Sequence, residues 1–199
     1  MADFRPQLFR KYTVPPEQNA RHKKVVLAAI NKMIIEGGVD DDLGGHVPLD
    51  FTGFADMGYT DYHIKDNRYT DKRHWKQPIL EAIRPFIQHW AENFGAREHD
   101  IQMMWFAQYK QGNQFKWHTH EGCNASAIYF LEAPTEEDVT EFFGIDMPEL
   151  KEGDVACFPS MIPHRAMKKD SKKRKTVIGM NINIANIRSD LHRFTWSKD

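Results

Sequence analysis

His118 and His120 are separated by one residue, on a stretch whose composition reads as a β-strand, so both side chains leave the same face. A third histidine, His164, follows the turn Phe158-Pro159-Ser160-Met161-Ile162-Pro163 and could close a three-point site on one metal ion. Imidazole is the commonest protein ligand of mid-series transition metals, and three protein ligands leave coordination positions open for chemistry. Ten histidines in 199 residues also permit a chance cluster, so the spacing gains meaning only from the elements that hold it.

Those elements belong to a chain of ordinary domain size. It is expected to form one domain over 1–199, with a helical and loop part over 1–99, a strand-rich core over 100–186 and a tail over 187–199. A net charge of -1 supplies no global field for nucleic acid or an anionic membrane surface. No apolar run reaches bilayer length, and no signal-peptide pattern opens the sequence. Cys123 and Cys157 make neither a C-x-x-C pair nor a disulfide framework, and are expected as reduced thiols of a cytoplasmic protein.

Residues 1–16, ending in Pro15-Pro16, read as an extended lead-in. Val26, Leu27, Ile30, Met33 and Ile34 recur at helical spacing and predict a helix over 17–36, stopped by Gly37-Gly38. Residues 37–73, rich in Asp, Gly and Tyr, read as a long substrate-facing loop, with Tyr59, Tyr62 and Tyr69 suited to such a surface. A second helix is predicted from Pro78 to Gly95, kinked or divided at Pro85. Beyond it the pattern changes to short strands over 101–109, 114–120, 126–132, 154–158 and 176–184. Helices first and strands afterwards point to an α+β fold, with a mostly antiparallel sheet closed into a sandwich or barrel.

The last strand constrains the site further. Ile178, Met180, Ile182 and Ile184 share one face, and Val177, Gly179, Asn181 and Asn183 share the other. The apolar face is expected beneath the N-terminal helices and the small, polar face inside the barrel. By the same parity Lys175 points inward and Arg174 outward. A buried cation beside a metal is costly unless an anion joins it. A dicarboxylate that chelates the metal at one end and meets Lys175 at the other satisfies both.

The ordered set Tyr109-x-x-Gly112, His118-x-His120, Gly153-Asp154 leading to Phe158-Pro159-Ser160, then His164, and Lys175 with Asn181, resembles the 2-oxoglutarate and iron(II)-dependent oxygenases, in particular their prolyl-4-hydroxylase-like branch. The resemblance spans residues 100–185. It implies a double-stranded β-helix, a cupin-like jelly-roll with the N-terminal helices packed on its major sheet. It further implies His118, His120 and His164 as iron(II) ligands and a basic residue, Lys175 or Arg174, on the distal carboxylate of 2-oxoglutarate. Tyr109, Ser126 and Asn181 would stand at the cosubstrate site, with Phe130 facing the pocket and Tyr129 turned away. The implied activity is O2-dependent hydroxylation of a C–H bond in a peptide or small molecule, with release of succinate and CO2.

Two positions depart from that pattern. His120 stands where the family has Asp or Glu, which leaves more positive charge on the metal and strengthens chelation of an anion. Glu121, its neighbour, faces the other way if the strand continues, and rotates in only if the chain turns before Gly122. The family's basic residue falls at Arg174 by count, whereas face parity favours Lys175.

His120 also suits a three-histidine cupin-type dioxygenase or isomerase that needs no 2-oxoglutarate. The basic run over 165–175, with Lys168, Lys169, Lys172 and Lys173, would suit a non-catalytic jelly-roll that binds RNA. Lacking interleaved aromatics, it reads better as a solvated hairpin between the last two strands, with nucleic acid not expected as a partner. Specificity is expected from 37–73 and from 135–151, with Phe142 and Phe143.

Overall fold

The computed structural model describes residues 8–40, 46–48, 58–64, 73–135, 138, 140–145 and 149–185. Its first helix, α1 (Pro16–Glu36), has Pro16 in the first turn, where a missing N–H costs no intrahelical bond. It stops where Gly37 turns left-handed, at φ 74°, and returns its N–H to the last turn. The second helix, α2 (Lys76–Asn93), starts two residues before Pro78 and runs through Pro85 without a break. Pro85 and Glu81 both lie on the exposed side, so solvent can meet the Glu81 carbonyl that loses its donor to the proline ring.

The strands in chain order are β1 (Arg10–Thr13), β2 (Gly38–Asp40), β3 (His46–Pro48), β4 (Tyr59–Thr60), β5 (Glu98–Tyr109), β6 (Phe115–His118), β7 (Ala125–Glu132), β8 (Thr140–Phe142), β9 (Asp154–Pro159), β10 (His164–Ala166) and β11 (Lys175–Ala185). Six of them make a large antiparallel sheet in the order β1-β9-β7-β11-β5-β4, and three make a small sheet in the order β6-β10-β8. The pair β2-β3 stands as a separate hairpin. Every expected strand is present. The structure adds β1 within the lead-in, β4 and the β2-β3 hairpin within the 37–73 loop, and β8 and β10 in the second half. These additions are too short for a periodic pattern to mark them. The architecture is α+β, a double-stranded β-helix with two helices on its major sheet. Tyr69, the lead-in over 1–7 and the tail over 187–199 lie outside the described residues.

Side-chain alternation sends the large sheet into two cores. Met104, Phe106, Tyr129, Ile178 and Met180 pack outward against Val26 and Ile30 of α1 and Ile79, Ile83 and Ile87 of α2. Tyr109, Ile128, Phe130, Phe158 and Val177 point into the barrel and meet Phe142 of the small sheet. Phe142 is therefore core, whereas Phe143 beside it is exposed. Tyr129 turns to the helix side as expected, where its hydroxyl donates to Asn19 of α1. Edge strand β4 is held by Thr60 Oγ1, which donates to the Phe106 carbonyl at 2.7 Å, and by Asp61, which accepts from the Phe106 N–H at 2.8 Å. Asp61 also forms a buried ion pair with Arg73, just ahead of α2. No helix among the described residues is long and apolar enough to cross a membrane.

One close approach inside the barrel requires a glycine. A Cβ placed on Gly179 of β11 would stand 2.5 Å from the indole of Trp105, its partner across the β5-β11 ladder. The bare backbone leaves room for the indole against the strand. Gly179→Ala should therefore destabilise the fold by about 1–3 kcal/mol through overpacking. Chemical denaturation followed by tryptophan emission measures this, and an unchanged midpoint would show that the indole moves aside freely.

Candidate metal centre

Two of the three histidines are brought together by strand register. His118 closes β6, His164 opens β10, and the two are direct partners across the antiparallel ladder, with Phe142 of β8 on the other side of His164. His120 lies beyond the end of β6, not within the strand as its spacing suggested. Its backbone N–H donates to the Ser160 carbonyl at 3.0 Å. Ser160 Oγ in turn donates to the Cys123 carbonyl at 2.6 Å. The turn that carries His120 is thus stapled to the turn that leads into His164. The ligand atoms of the three side chains lie within 4.8 Å of one another, and among the described residues they form the one such cluster.

The hydrogen bonds of the rings decide which nitrogens are free. Nδ1 of His118 lies 2.9 Å from the Lys116 carbonyl, and Nδ1 of His164 lies 3.0 Å from the Ile162 carbonyl. A carbonyl only accepts, so Nδ1 carries the hydrogen in both and Nε2 keeps a lone pair. Nδ1 of His120 lies 2.9 Å from Ser126 Oγ. Burial lowers the pKa of all three imidazoles, His120 to about 4 and His164 to about 3, so they are neutral at pH 7. Three neutral imidazoles this close fit a divalent transition metal.

A cavity of about 370 Å³ opens beside the cluster. Trp105, Tyr109, Phe115, Thr140 and Val177 line it together with the histidines, and Tyr62 and Glu121 stand at it from exposed positions. Trp105 lies 5.4 Å from His120, ring centre to ring centre, and takes Tyr62 edge-on at 5.0 Å. Tyr109 is buried, and burial pushes its phenol well above the usual range. Behind it the Lys175 ammonium sits 5.0 Å over the Tyr109 ring. Burial pushes Lys175 down to about 7, with Asp138 and the neighbouring Lys169 acting in opposite directions. Asp138 is already committed to Lys169 in a buried ion pair. No described carboxylate lies within ion-pair distance of Lys175.

Of the residues singled out from the sequence, His118, His120 and His164 converge with Tyr109 in the cavity lining, and Lys175 lies behind Tyr109, not itself in that lining. Ser126 and Asn181 are partners in the β7-β11 ladder and stand behind His120, outside the cavity lining. Arg174 faces the helices, where it forks onto Glu132 at 2.7 and 3.3 Å and reaches Asn31 of α1 at 3.1 Å. The basic run is not wholly a solvated hairpin, since Lys169 is buried against Asp138. Trp105 was not anticipated, although its alternation with Ala107 and Tyr109 on one strand carried the signal. The Asp138–Lys169 pair had none, because nothing local links two residues on separate loops.

No protein-family model matches the sequence, and no curated protein matches it. Solved structures do match the fold. A viral collagen prolyl hydroxylase from Paramecium bursaria Chlorella virus-1, in complex with 2-oxoglutarate, superposes with a TM-score of 0.57 at 14% identity over 90% of this chain and 97% of its own. A prolyl-4-hydroxylase of Pseudomonas putida gives 0.55 at 13% identity over 88% and 92%. A Trichoplax adhaerens prolyl hydroxylase, bound to a peptide fragment of the hypoxia inducible factor oxygen degradation domain, gives 0.57 at 12% identity over 89% and 84%. These likenesses establish the double-stranded β-helix as the fold.

Loss of one imidazole should cost more metal affinity than the roughly 10–100-fold that follows loss of a ligand's hydrogen-bond partner. Iron(II) or cobalt(II) titration of His164→Ala reads this, and wild-type affinity in that variant would remove His164 from the site.

Proposed function

We propose that this chain is an iron(II) and 2-oxoglutarate-dependent dioxygenase that hydroxylates a C–H bond of a peptide or small-molecule substrate. The observation that carries the proposal is Lys175, a buried ammonium without a described carboxylate partner, set behind Tyr109 in the barrel that holds the three-histidine cluster. A fold gains nothing from such a charge unless an anion arrives to meet it. The metal with its cosubstrate supplies the oxidising chemistry: O2 and 2-oxoglutarate become succinate and CO2 while one oxygen atom enters the substrate C–H bond.

The chain's own residues have simpler tasks. His118, His120 and His164 hold the metal, each through the nitrogen its other hydrogen bond leaves free. Lys175 binds the distal carboxylate of 2-oxoglutarate, and Tyr109 closes over that end as a buried hydroxyl donor. Trp105 and Tyr62 make an aromatic wall at the cavity, which excludes water and faces the incoming substrate. The residues cooperate as one domain, and the two free thiols, Cys123 and Cys157, suit the cytoplasm.

One alternative has a specific observation behind it. His120 makes the ligand set all-imidazole, which also suits a three-histidine cupin-type dioxygenase or isomerase that works without 2-oxoglutarate. An RNA-binding role finds less support, since Arg165 is paired with Glu141, Arg174 with Glu132 and Lys169 with Asp138.

Lys175→Ala should raise the 2-oxoglutarate requirement far more than it weakens metal binding, whereas Arg174→Ala should affect stability instead. Cosubstrate titration of both variants decides, and the reverse result would move the anchor to Arg174. Because burial pushes Lys175 down to about 7 and it binds an anion only when charged, wild-type affinity for 2-oxoglutarate should be flat just below pH 7. Above it, affinity should fall about tenfold per pH unit, and Lys175→Ala should abolish that slope. A screen of succinate release over peptides, free amino acids and nucleosides identifies the substrate class.

A further inference from the structure

His118 and His164 are each held by the carbonyl two residues earlier, Lys116 and Ile162. His120 has no such partner, because the residue two before it is His118 itself, inside the ladder. Its Nδ1 is met instead from the neighbouring strand β7, by Ser126 Oγ at 2.9 Å. Ser126 is completely buried, and its hydroxyl is engaged by the His120 ring. Asn181, opposite Ser126 in the ladder, also lies against His120, with its buried Oδ1 beside the ring but in no well-aligned hydrogen bond. Trp105 packs on the same imidazole.

We propose that Ser126 is a positioning residue for the metal centre: its hydroxyl accepts from Nδ1 of His120 and so keeps Nε2 of that ring free to bind a metal. The inference rests on the metal-centre reading above. The Ser126 hydroxyl can pass its own hydrogen toward Cys123 Sγ, 4.0 Å away, while it accepts from the ring. A carboxylate at position 120 would need no such control, since both of its oxygens accept. An imidazole does, because a hydrogen on Nε2 turns a ligand atom into a donor. The histidine at 120 and the hydroxyl at 126 therefore form a functional pair. Alanine at 126 would remove the hydroxyl that meets Nδ1 and leave the Asn181 amide beside the ring as the remaining influence on its tautomer.

Cobalt(II) titration, followed by the visible absorption of the bound ion, tests this without any cosubstrate. Ser126→Ala should bind cobalt about 10–100-fold more weakly than wild type, and Ser126→Thr, which keeps the hydroxyl, should recover most of the loss. Equal affinity for wild type and Ser126→Ala would overturn the proposal. If Ser126→Ala does not fold, ring ¹⁵N shifts of His120 in the metal-free wild type decide instead. A hydrogen on Nδ1 supports the proposal, and a hydrogen on Nε2 overturns it. Failure of the wild type to bind cobalt would overturn the metal-centre reading, and the ¹⁵N shifts would still show separately whether Ser126 holds the ring.

Discussion

The pairing of His164 with His118 across β10 and β6 is the constraint on which the rest of the site depends. A slip of one residue would turn His164 to the outer face of the small sheet and bring Arg165 inside. Arg165 instead lies outward, paired with Glu141 and packed over the Trp117 ring. Phe142, on the other side of His164, holds the register from within through contacts with Phe9 and Phe158. With two imidazoles set by the ladder, the third needs only a turn in the right place, and the Ser160 staple provides it.

Burial gives the site its electrostatic character. It lowers the pKa of the imidazoles and so keeps their lone pairs available, and it presses the same way on Lys175. The difference lies in the partners. Asp61 has Arg73, Asp138 has Lys169 and Glu132 has Arg174, whereas Lys175 faces the Tyr109 ring. An all-imidazole ligand set adds no negative charge of its own. A divalent metal in this barrel therefore calls for an anionic cosubstrate more strongly than a site with a carboxylate ligand would.

Much of this was legible in the sequence where alternation ran long enough. The eleven residues of β11 sort cleanly into two faces, and that parity separates Lys175 from Arg174 and sends Ile178 and Met180 to the helices. Both helices followed from apolar spacing, although Pro85 was tolerated because its side of α2 faces water. Strands of two to four residues left no period to read, so β4, β8 and β10 emerge only from tertiary pairing. The same limit hid the end of β6. His118 and His120 share a side for different reasons, one by strand alternation and the other because a turn is tied to Ser160. Lys169 looked like one more surface lysine, since its buried partner Asp138 sits 31 residues away.

On the proposed reading, one barrel holds a metal on three imidazoles and a 2-oxoglutarate on that metal. Anaerobic addition of 2-oxoglutarate to the iron(II)-loaded protein tests it most directly. A visible metal-to-ligand charge-transfer band should appear, and His164→Ala should not show it. Bound iron with no such band would rule out 2-oxoglutarate on the metal and leave a three-histidine centre that works without it.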